Sequence, residues 1–291
     1  MAHKAGFVNI VGSPNVGKST LMNKLMGEKM SIVTSKAQTT RHRILGMLNE
    51  EDYQIVFSDT PGVVNSAYKL HDHMMTYVNT SLQDADVLLF ITDIYENEMN
   101  HAETLEKISK MKVPVIVLVN KMDLGDQEKV GERLAYWSEK LPNATVFPIS
   151  ALHGFNMEGI IEKIVSLLPE SPAYYDKEEL SDRPMRFFVS EIIREKIFLH
   201  TKKEVPYATQ VEVEEYIEEP EITKIRAVII VERDTQKGII IGKGGEMLKR
   251  IGREARIEIQ KFIDQKVFLD TFVKVDKDWR TSDSKLKKYG Y

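Results

Sequence analysis

Five short apolar runs, GFVNIV, YQIVFS, VLLFIT, VPVIVLVN and TVFPIS, recur up to about Leu168 with helix-like segments between them. Their hydrophobicity is continuous instead of alternating, which predicts strands buried on both faces of a parallel sheet covered by helices. FNMEGIIEKIVSLL then spaces Ile160, Ile161, Ile164, Leu167 and Leu168 at helical intervals. Pro169, Pro172 and Pro184 punctuate the next stretch, PESPAYYDKEELSDRP, which has no period and reads as a linker. Beyond it the pattern changes. MRFFVSEIIREKIFL predicts an amphipathic helix, and QVEVEEYI and ITKIRAVIIVER predict two strands around Pro220, with Ile225, Ala227, Ile229 and Val231 on one buried face. Leu248, Ile251, Ala255, Ile259 and Phe262 step by three and four as in a helix, and KVFLDTFVKV reads as a closing strand. The expected architecture is an α/β domain with a doubly wound, mostly parallel sheet at residues 1–169, a linker at 170–184, and an α+β domain at 185–291. The second domain runs helix, strand, strand, helix, glycine turn, helix, strand.

A length of 291 residues suits two domains of about 100 to 200 residues each. With 42% hydrophobic and 29% charged residues the composition is that of a soluble globular protein. No cysteine is present, which excludes disulfides, thiolate metal sites and cysteine nucleophiles. No apolar stretch approaches the roughly 20 residues of a membrane span, and MAHKAGFVNIVG leaves no room for a signal peptide, so a cytoplasmic protein is expected. The net charge of −4 argues against wholesale polyanion binding, but its distribution is uneven. Lys237, Lys243, Lys249, Arg250, Arg253 and Arg256 cluster against only Glu246 and Glu254, whereas Glu212 to Glu221 (EVEEYIEEPE) is an acidic stretch expected to be a solvated face.

Chemistry enters with GSPNVGKST, Gly12 to Thr20, which lies between an apolar strand and a helix pattern. This is the phosphate-loop pattern: Gly12 and Gly17 permit the turn around Ser13, Pro14, Asn15 and Val16, Lys18 reaches terminal phosphates, Ser19 is available to Mg²⁺, and Thr20 opens the helix. Helix N-termini and loop N–H groups favour an anion there. NKMD at the end of VPVIVLVN supplies base selection. Asp123 can accept from guanine N1–H and its exocyclic amine, Lys121 can lie along the base, and Asn120 can tie this loop to the phosphate loop. Ser150 and Ala151, followed by Leu152, are placed to support the guanine carbonyl through backbone N–H groups. DTPG at the end of YQIVFS gives Asp59 for Mg²⁺ through water, with Thr60 and Pro61 leading to Gly62, whose N–H can sense a γ-phosphate. In AQTTRHR, Thr39 or Thr40 offers a hydroxyl to the metal. Lys18, Thr40, Asp59 and Gly62 are therefore the expected catalytic set of a translation-factor-class GTPase binding GTP, GDP and Mg²⁺. Val63 stands where Ras-like GTPases carry a water-orienting glutamine, which predicts slow hydrolysis. Asn15 is either a turn former or a holder of K⁺. His71 and His73 in HDHMM lack a third ligand in sequence and read as background.

GKGG, Gly242 to Gly245, lacks the lysine-serine pair and base-reading motif of a second nucleotide site. Its element order instead matches a type II KH domain, whose GxxG turn clamps single-stranded nucleotides. Ile241, Gly242, Lys243, Gly244 and Gly245 would meet the strand, Lys249, Arg250 and Arg253 would track its phosphates, and Ile239 to Ile241 could pack on bases. Trp279, Lys285, Lys287, Lys288 and Tyr289 either add RNA contacts or cap the domain.

One GTPase domain followed by a type II KH domain resembles the Era family of bacterial ribosome-assembly GTPases. The likeness runs from VNIVGSPNVGKSTLMN through SKAQTTRHRILG, DTPG, NKMDL and SAL to IIIGKGGEMLKRIGREAR and the ending LKKYGY. A single phosphate loop excludes relatives with two successive GTPase domains, and the lack of cysteine sets apart relatives that modify tRNA. The resemblance implies GTP-dependent binding of the 16S rRNA 3′ end during maturation of the small ribosomal subunit by a monomer, with peripheral association at the inner membrane. The competing expectation is an RNA-binding scaffold in which nucleotide is only structural.

Overall fold

The computed structural model describes residues 2–34, 36–64, 67–96 and 102–291, so Ser35 of the SKAQTTRHRILG stretch lies outside the described residues. Chain order is β1 (Lys4–Val11), α1 (Lys18–Met26), β2 (Ile44–Asn49), β3 (Tyr53–Asp59), α2 (Lys69–Gln83), β4 (Val87–Asp93), α3 (Ala102–Ser109), β5 (Val115–Asn120), α4 (Gln127–Lys140), β6 (Thr145–Pro148) and α5 (Met157–Leu167). It continues with α6 (Met185–His200), β7 (Gln210–Glu219), β8 (Ile222–Val231), α7 (Asp234–Ile241), α8 (Glu246–Ile263), β9 (Val267–Val275) and α9 (Asp283–Lys288). The chain divides into two compact units. One comprises Met1–Ser31, Thr40–Ser66 and His73–Asp182; the other comprises Ile32–Thr39, Ala67–Asp72 and Arg183–Tyr291.

The first unit holds a six-stranded sheet in the order β2-β3-β1-β4-β5-β6. All neighbours are parallel except β2 and β3. The continuous apolar runs produce the expected two-sided burial, and every residue of β4 is buried. β2 had no counterpart among the apolar runs. Its antiparallel pairing to β3 across a short turn, with burial incomplete where that of β4 is total, is what an edge strand shows.

The proline-rich stretch is not a free tether. Met47 N donates to Leu180 O at 3.0 Å, Ser181 Oγ donates to Leu45 O at 2.6 Å, and Leu45 N donates to Asp182 Oδ1 at 3.1 Å, so its end lies along the open edge of β2. Such cover removes an edge that could otherwise pair with another chain. Gln54, fully buried, holds its middle: Oε1 accepts from Tyr174 N (2.7 Å) and Tyr175 N (3.1 Å), while Nε2 donates to Tyr175 O (2.9 Å) and Asn49 Oδ1 (2.7 Å). Gln54→Ala strands these linker groups and should cost about 2–4 kcal/mol in denaturant melts, with earlier proteolytic cleavage between residues 170 and 182. An unchanged midpoint would show that solvent satisfies them equally well.

In the second unit, β7 and β8 form an antiparallel hairpin and β9 joins β8 in parallel. Ile225, Ala227, Ile229 and Val231 enter one core with Ile251, Ala255 and Ile259 of α8 and Val189, Ile193 and Ile197 of α6. α6 departs from the amphipathic expectation because its charged side is buried as well: Glu191, Arg194, Glu195 and Lys196 are all covered. The charges are paired, as burial demands. Arg194 Nε donates to Glu191 at 2.8 Å and its Nη2 donates to Thr39 O at 2.5 Å, while Lys196 bonds Glu195 and Glu258. Val33 N donates to Glu195 at 3.3 Å, so Val33 and Thr39, which belong to this unit, both bond the charged side of α6. At the C-terminus, Trp279 is fully buried with its indole N–H on Ala208 O at 3.0 Å, Tyr289 is buried and bonds Asp276, and Lys285 also pairs with Asp276. Those three side chains cap the unit; Lys287 and Lys288 are exposed.

Candidate functional site

Parallel strands present their C-terminal ends to one edge, where α/β proteins bind ligands. The first unit gathers its motifs there: the glycine loop after β1, Asp59 ending β3, Asp93 ending β4, Asn120 ending β5 and Ser150 just past β6. Gly17 enters α1 with φ +105°, a conformation L side chains rarely adopt, and a Cβ there would lie 2.3 Å from Asn120 Nδ2. Lys18 is buried, with Nζ donating to the carbonyls of Gly12 (3.0 Å) and Ser13 (2.7 Å). Burial pulls its ammonium down to about 8, opposed by the charges of Asp59 and Glu96. Val16 is buried, Asn15 is exposed at φ +65°, Pro14 and Thr20 are half-buried, and Gly62 lies against Pro14. Thr60 Oγ1 donates to Ile10 O at 2.7 Å, and Thr60 and Pro61 are buried.

Three oxygen donors converge beside the loop. Ser19 Oγ lies 2.8 Å from Thr40 Oγ1 and 2.8 Å from Asp59 Oδ2, with Thr40 Oγ1 at 3.4 Å from the same carboxylate oxygen. Of the two candidate threonines, Thr40 is the one turned inward; Thr39 presents its carbonyl to Arg194. Burial pushes the Asp59 carboxyl up, offset by the Lys18 charge and by the hydroxyls of Ser19 and Thr40. Asp59 Oδ1 is buried with no hydrogen-bond partner among the described residues. A buried carboxylate oxygen without a partner, beside two hydroxyls, fits a hard divalent cation such as Mg²⁺. Val63 is buried in the core with Val11 and Val78, so it offers nothing to a water.

At the base-reading end, Asn120 Nδ2 donates to Val16 O at 2.7 Å and Oδ1 accepts from Ala151 N at 2.9 Å. The first bond is the tie to the phosphate loop expected of Asn120. The second gives the Ala151 N–H a partner on the same asparagine, so Asn120 ties the segment after β6 to the phosphate loop as well. Asp123 accepts from Ser150 Oγ at 2.6 Å, and His153, absent from the motif reading, stands 3.7 Å from its other oxygen. Lys121, in a left-handed conformation at φ +62°, donates to Asp93 at 2.6 Å; Leu152 is exposed. Asp93 was also missed, although its place at the end of an apolar strand, paired in register with Asn120, is the signal that marks the other motifs.

The second unit presents its glycine turn between α7 and α8. Gly242, Gly244 and Gly245 all have positive φ, at +71°, +62° and +80°. A Cβ on Gly242 would meet Met247 at 2.7 Å, whereas Gly244 and Gly245 face open space that a phosphate can approach. α8 starts at Gly245 with no side-chain cap, leaving a helix N-terminus suited to anions. Lys243, Lys249, Arg250 and Arg253 are exposed. Glu254 is drawn to His200 at 2.6 Å, and Glu246 makes only an exposed 3.7 Å pair with Lys249, so the face stays basic. The apolar strip is narrower than expected because the preceding segment is helical: Ile239 is half exposed and Ile241 partly so, while Ile240 is fully buried and cannot reach a base. In the acidic stretch, Glu219 pairs with Lys224, and Glu214 and Glu215 approach Arg226 across the hairpin.

Comparisons with known proteins bear on both units. Residues 7–121 match the family described as 50S ribosome-binding GTPase, and residues 204–280 match the KH domain family. The chain is 46% identical over 290 residues to GTPase Era of Clostridium acetobutylicum, covering 99% of this chain and 98% of that protein. It is 42% identical over 292 residues to GTPase Era of Staphylococcus haemolyticus, covering 99% and 97%. A crystal structure of Era in complex with MgGDPNP and nucleotides 1506–1542 of 16S ribosomal RNA superposes with a TM-score of 0.95 at 38% identity, covering 99% of each chain. A single-residue variant of Aquifex aeolicus Era bound to GDP and aluminium fluoride matches equally, with a TM-score of 0.95 at 38% identity over 99% of each chain.

Proposed function

Because the chain belongs to the Era family of GTPases, we propose that it is a slow GTP-hydrolysing switch that binds the 3′ end of 16S rRNA through its GKGG turn and assists assembly of the small ribosomal subunit. The observation that carries this reading is the pairing, in one chain, of a complete nucleotide site with an open glycine turn on a basic helix. The 50S label of the first family model does not outweigh it, since that match ends at residue 121 and contains no part of the KH domain.

At the base end, the Asp123 carboxylate accepts two guanine protons and rejects adenine, whose N1 is itself an acceptor. Ser150 keeps that carboxylate oriented, and Asn120 fixes the base loop to the phosphate loop. Lys18 supplies charge to the terminal phosphates and the Gly62 N–H senses the γ-phosphate. Ser19, Thr40 and Asp59 would hold Mg²⁺, which neutralises phosphate charge when bound. With those groups all present, purely structural nucleotide binding in an RNA scaffold is the weaker reading. Cytoplasmic residence is proposed on the same family grounds; among the described residues no helix is long and apolar enough to cross a membrane, and association with the inner membrane would be peripheral.

Val63 leaves the attacking water without a side chain to orient it, and Asn15, exposed in the phosphate loop, is the residue proposed to hold K⁺ there. Single-turnover hydrolysis without an activator should fall well below about 1 s⁻¹, rise in K⁺ relative to Na⁺, and rise again with an oligonucleotide of the rRNA 3′ end. Equal rates in the two salts would remove Asn15 from the mechanism, and indifference to the oligonucleotide would favour the scaffold.

A further inference from the structure

The turn after β4 lies between the two ends of the nucleotide site. Asp93 is buried there, with Oδ1 accepting from Tyr95 N (2.9 Å) and Glu96 N (3.0 Å) and Oδ2 accepting from Lys121 Nζ (2.6 Å). Tyr95 adds a second attachment to the base-reading loop, its hydroxyl donating to Leu124 O at 3.0 Å. Glu96 reaches the opposite way. One carboxylate oxygen accepts from the Ser13 hydroxyl of the phosphate loop, and the other accepts from Thr92 Oγ1 at 2.7 Å. Ser13 also presents the carbonyl that receives Lys18 Nζ, so one residue separates the Glu96 carboxylate from the lysine that reaches phosphate. A carboxylate this close to an anion-binding loop opposes the ligand by its charge. What it offers in return is geometry, because its two oxygens hold the Ser13 and Thr92 hydroxyls together.

We propose that Glu96 is a positioning residue for nucleotide binding, holding the phosphate loop through Ser13, and that the Asp93–Glu96 turn is the strut joining the phosphate-binding and base-reading loops. This rests on the reading of GSPNVGKS as the phosphate loop of a GTP and GDP site.

The test is the release rate of a fluorescent GDP, chased by unlabelled GDP from the full chain in Mg²⁺. Glu96→Ala should release it about tenfold faster, the scale of one lost hydrogen bond to a charged group. Glu96→Gln should stay within about twofold of the parent, since its carbonyl oxygen can accept from Ser13 while its amide donates to the Thr92 hydroxyl. Ser13→Ala should match Glu96→Ala, and the double substitution should be no faster than either single one, because residues sharing one interaction are not additive. Should Glu96→Ala fold poorly, Ser13→Ala removes the same bond and carries the test. Parental release from both alanine variants, or a glutamine variant as fast as the alanine one, overturns the inference. Release from Glu96→Gln slower than the parent by clearly more than about twofold also overturns it, since charge repulsion would then be the contribution of Glu96. Failure of the parent chain to retain GDP would break the phosphate-loop reading itself.

Discussion

Asp123→Asn should weaken GTP and GDP binding by about two to four orders of magnitude while leaving the affinity of the nucleotide-free protein for an rRNA 3′-end oligonucleotide unchanged. In the proposed function the carboxylate accepts both guanine protons, and hydrogen bonds to a charged acceptor contribute about 1.5–3 kcal/mol each, so losing two amounts to about 3–6 kcal/mol. An asparagine keeps an acceptor for Ser150 Oγ, which holds Asp123 at 2.6 Å, so the loop itself should persist. The asparagine amide would then face the guanine amine, donor against donor. Xanthine carries a carbonyl at that carbon, and the variant should bind xanthine nucleotides better than guanine ones. Titration with the two fluorescent nucleotides decides it: undiminished affinity for GTP would remove Asp123 from base recognition.

Gly244→Asp should do the reverse, lowering affinity for the oligonucleotide at least about tenfold and sparing GTP. The site has φ +62°, which aspartate tolerates better than most residues, and a Cβ there meets nothing within 4 Å, so the fold should survive. The ligand bears the loss, because the carboxylate would occupy space meant for a phosphate beside Lys243 and the uncapped start of α8. Gly244→Ala separates the effects: it adds bulk without charge, and its defect should be smaller and less dependent on salt. RNA affinity equal to that of the parent protein in the aspartate variant would show that the RNA path avoids this turn.

The legible parts of the chain were those whose physics is local. Apolar runs buried on both faces announced β1, β3, β4, β5 and β6, and the motifs at their ends, GSPNVGKS for phosphate and NKMD for the base, announced the candidate nucleotide site, since strand and motif follow one another within a few residues. β2 escaped because it draws its strand character from pairing with β3 and from the linker laid along its open edge, and α9 because its charged DSKLKK carries one fully buried apolar residue, Leu286. Asp93, Glu96 and His153 escaped for a related reason. Each acts through a partner far along the chain, Lys121, Ser13 and Asp123 respectively for the three, or in a turn with no fixed pattern. Ile240 illustrates the converse error: three isoleucines in a row look equally available, yet helical rotation turns the middle one fully into the core.

Residue types at fixed spacing were enough to identify the family and guanine as the base, and to nominate the residues proposed to meet nucleotide. Folding settled which threonine faces Asp59, that the proline-rich linker is bound along its length, and that the charged side of α6 is buried. It also decided that Ile32–Thr39 and Ala67–Asp72 group with the second unit, the first through Arg194 on Thr39 O and the second through Leu70 N on Arg280 O. These bonds join residues more than 150 positions apart to backbone groups, which carry no sequence signature, so no local pattern could have foretold them.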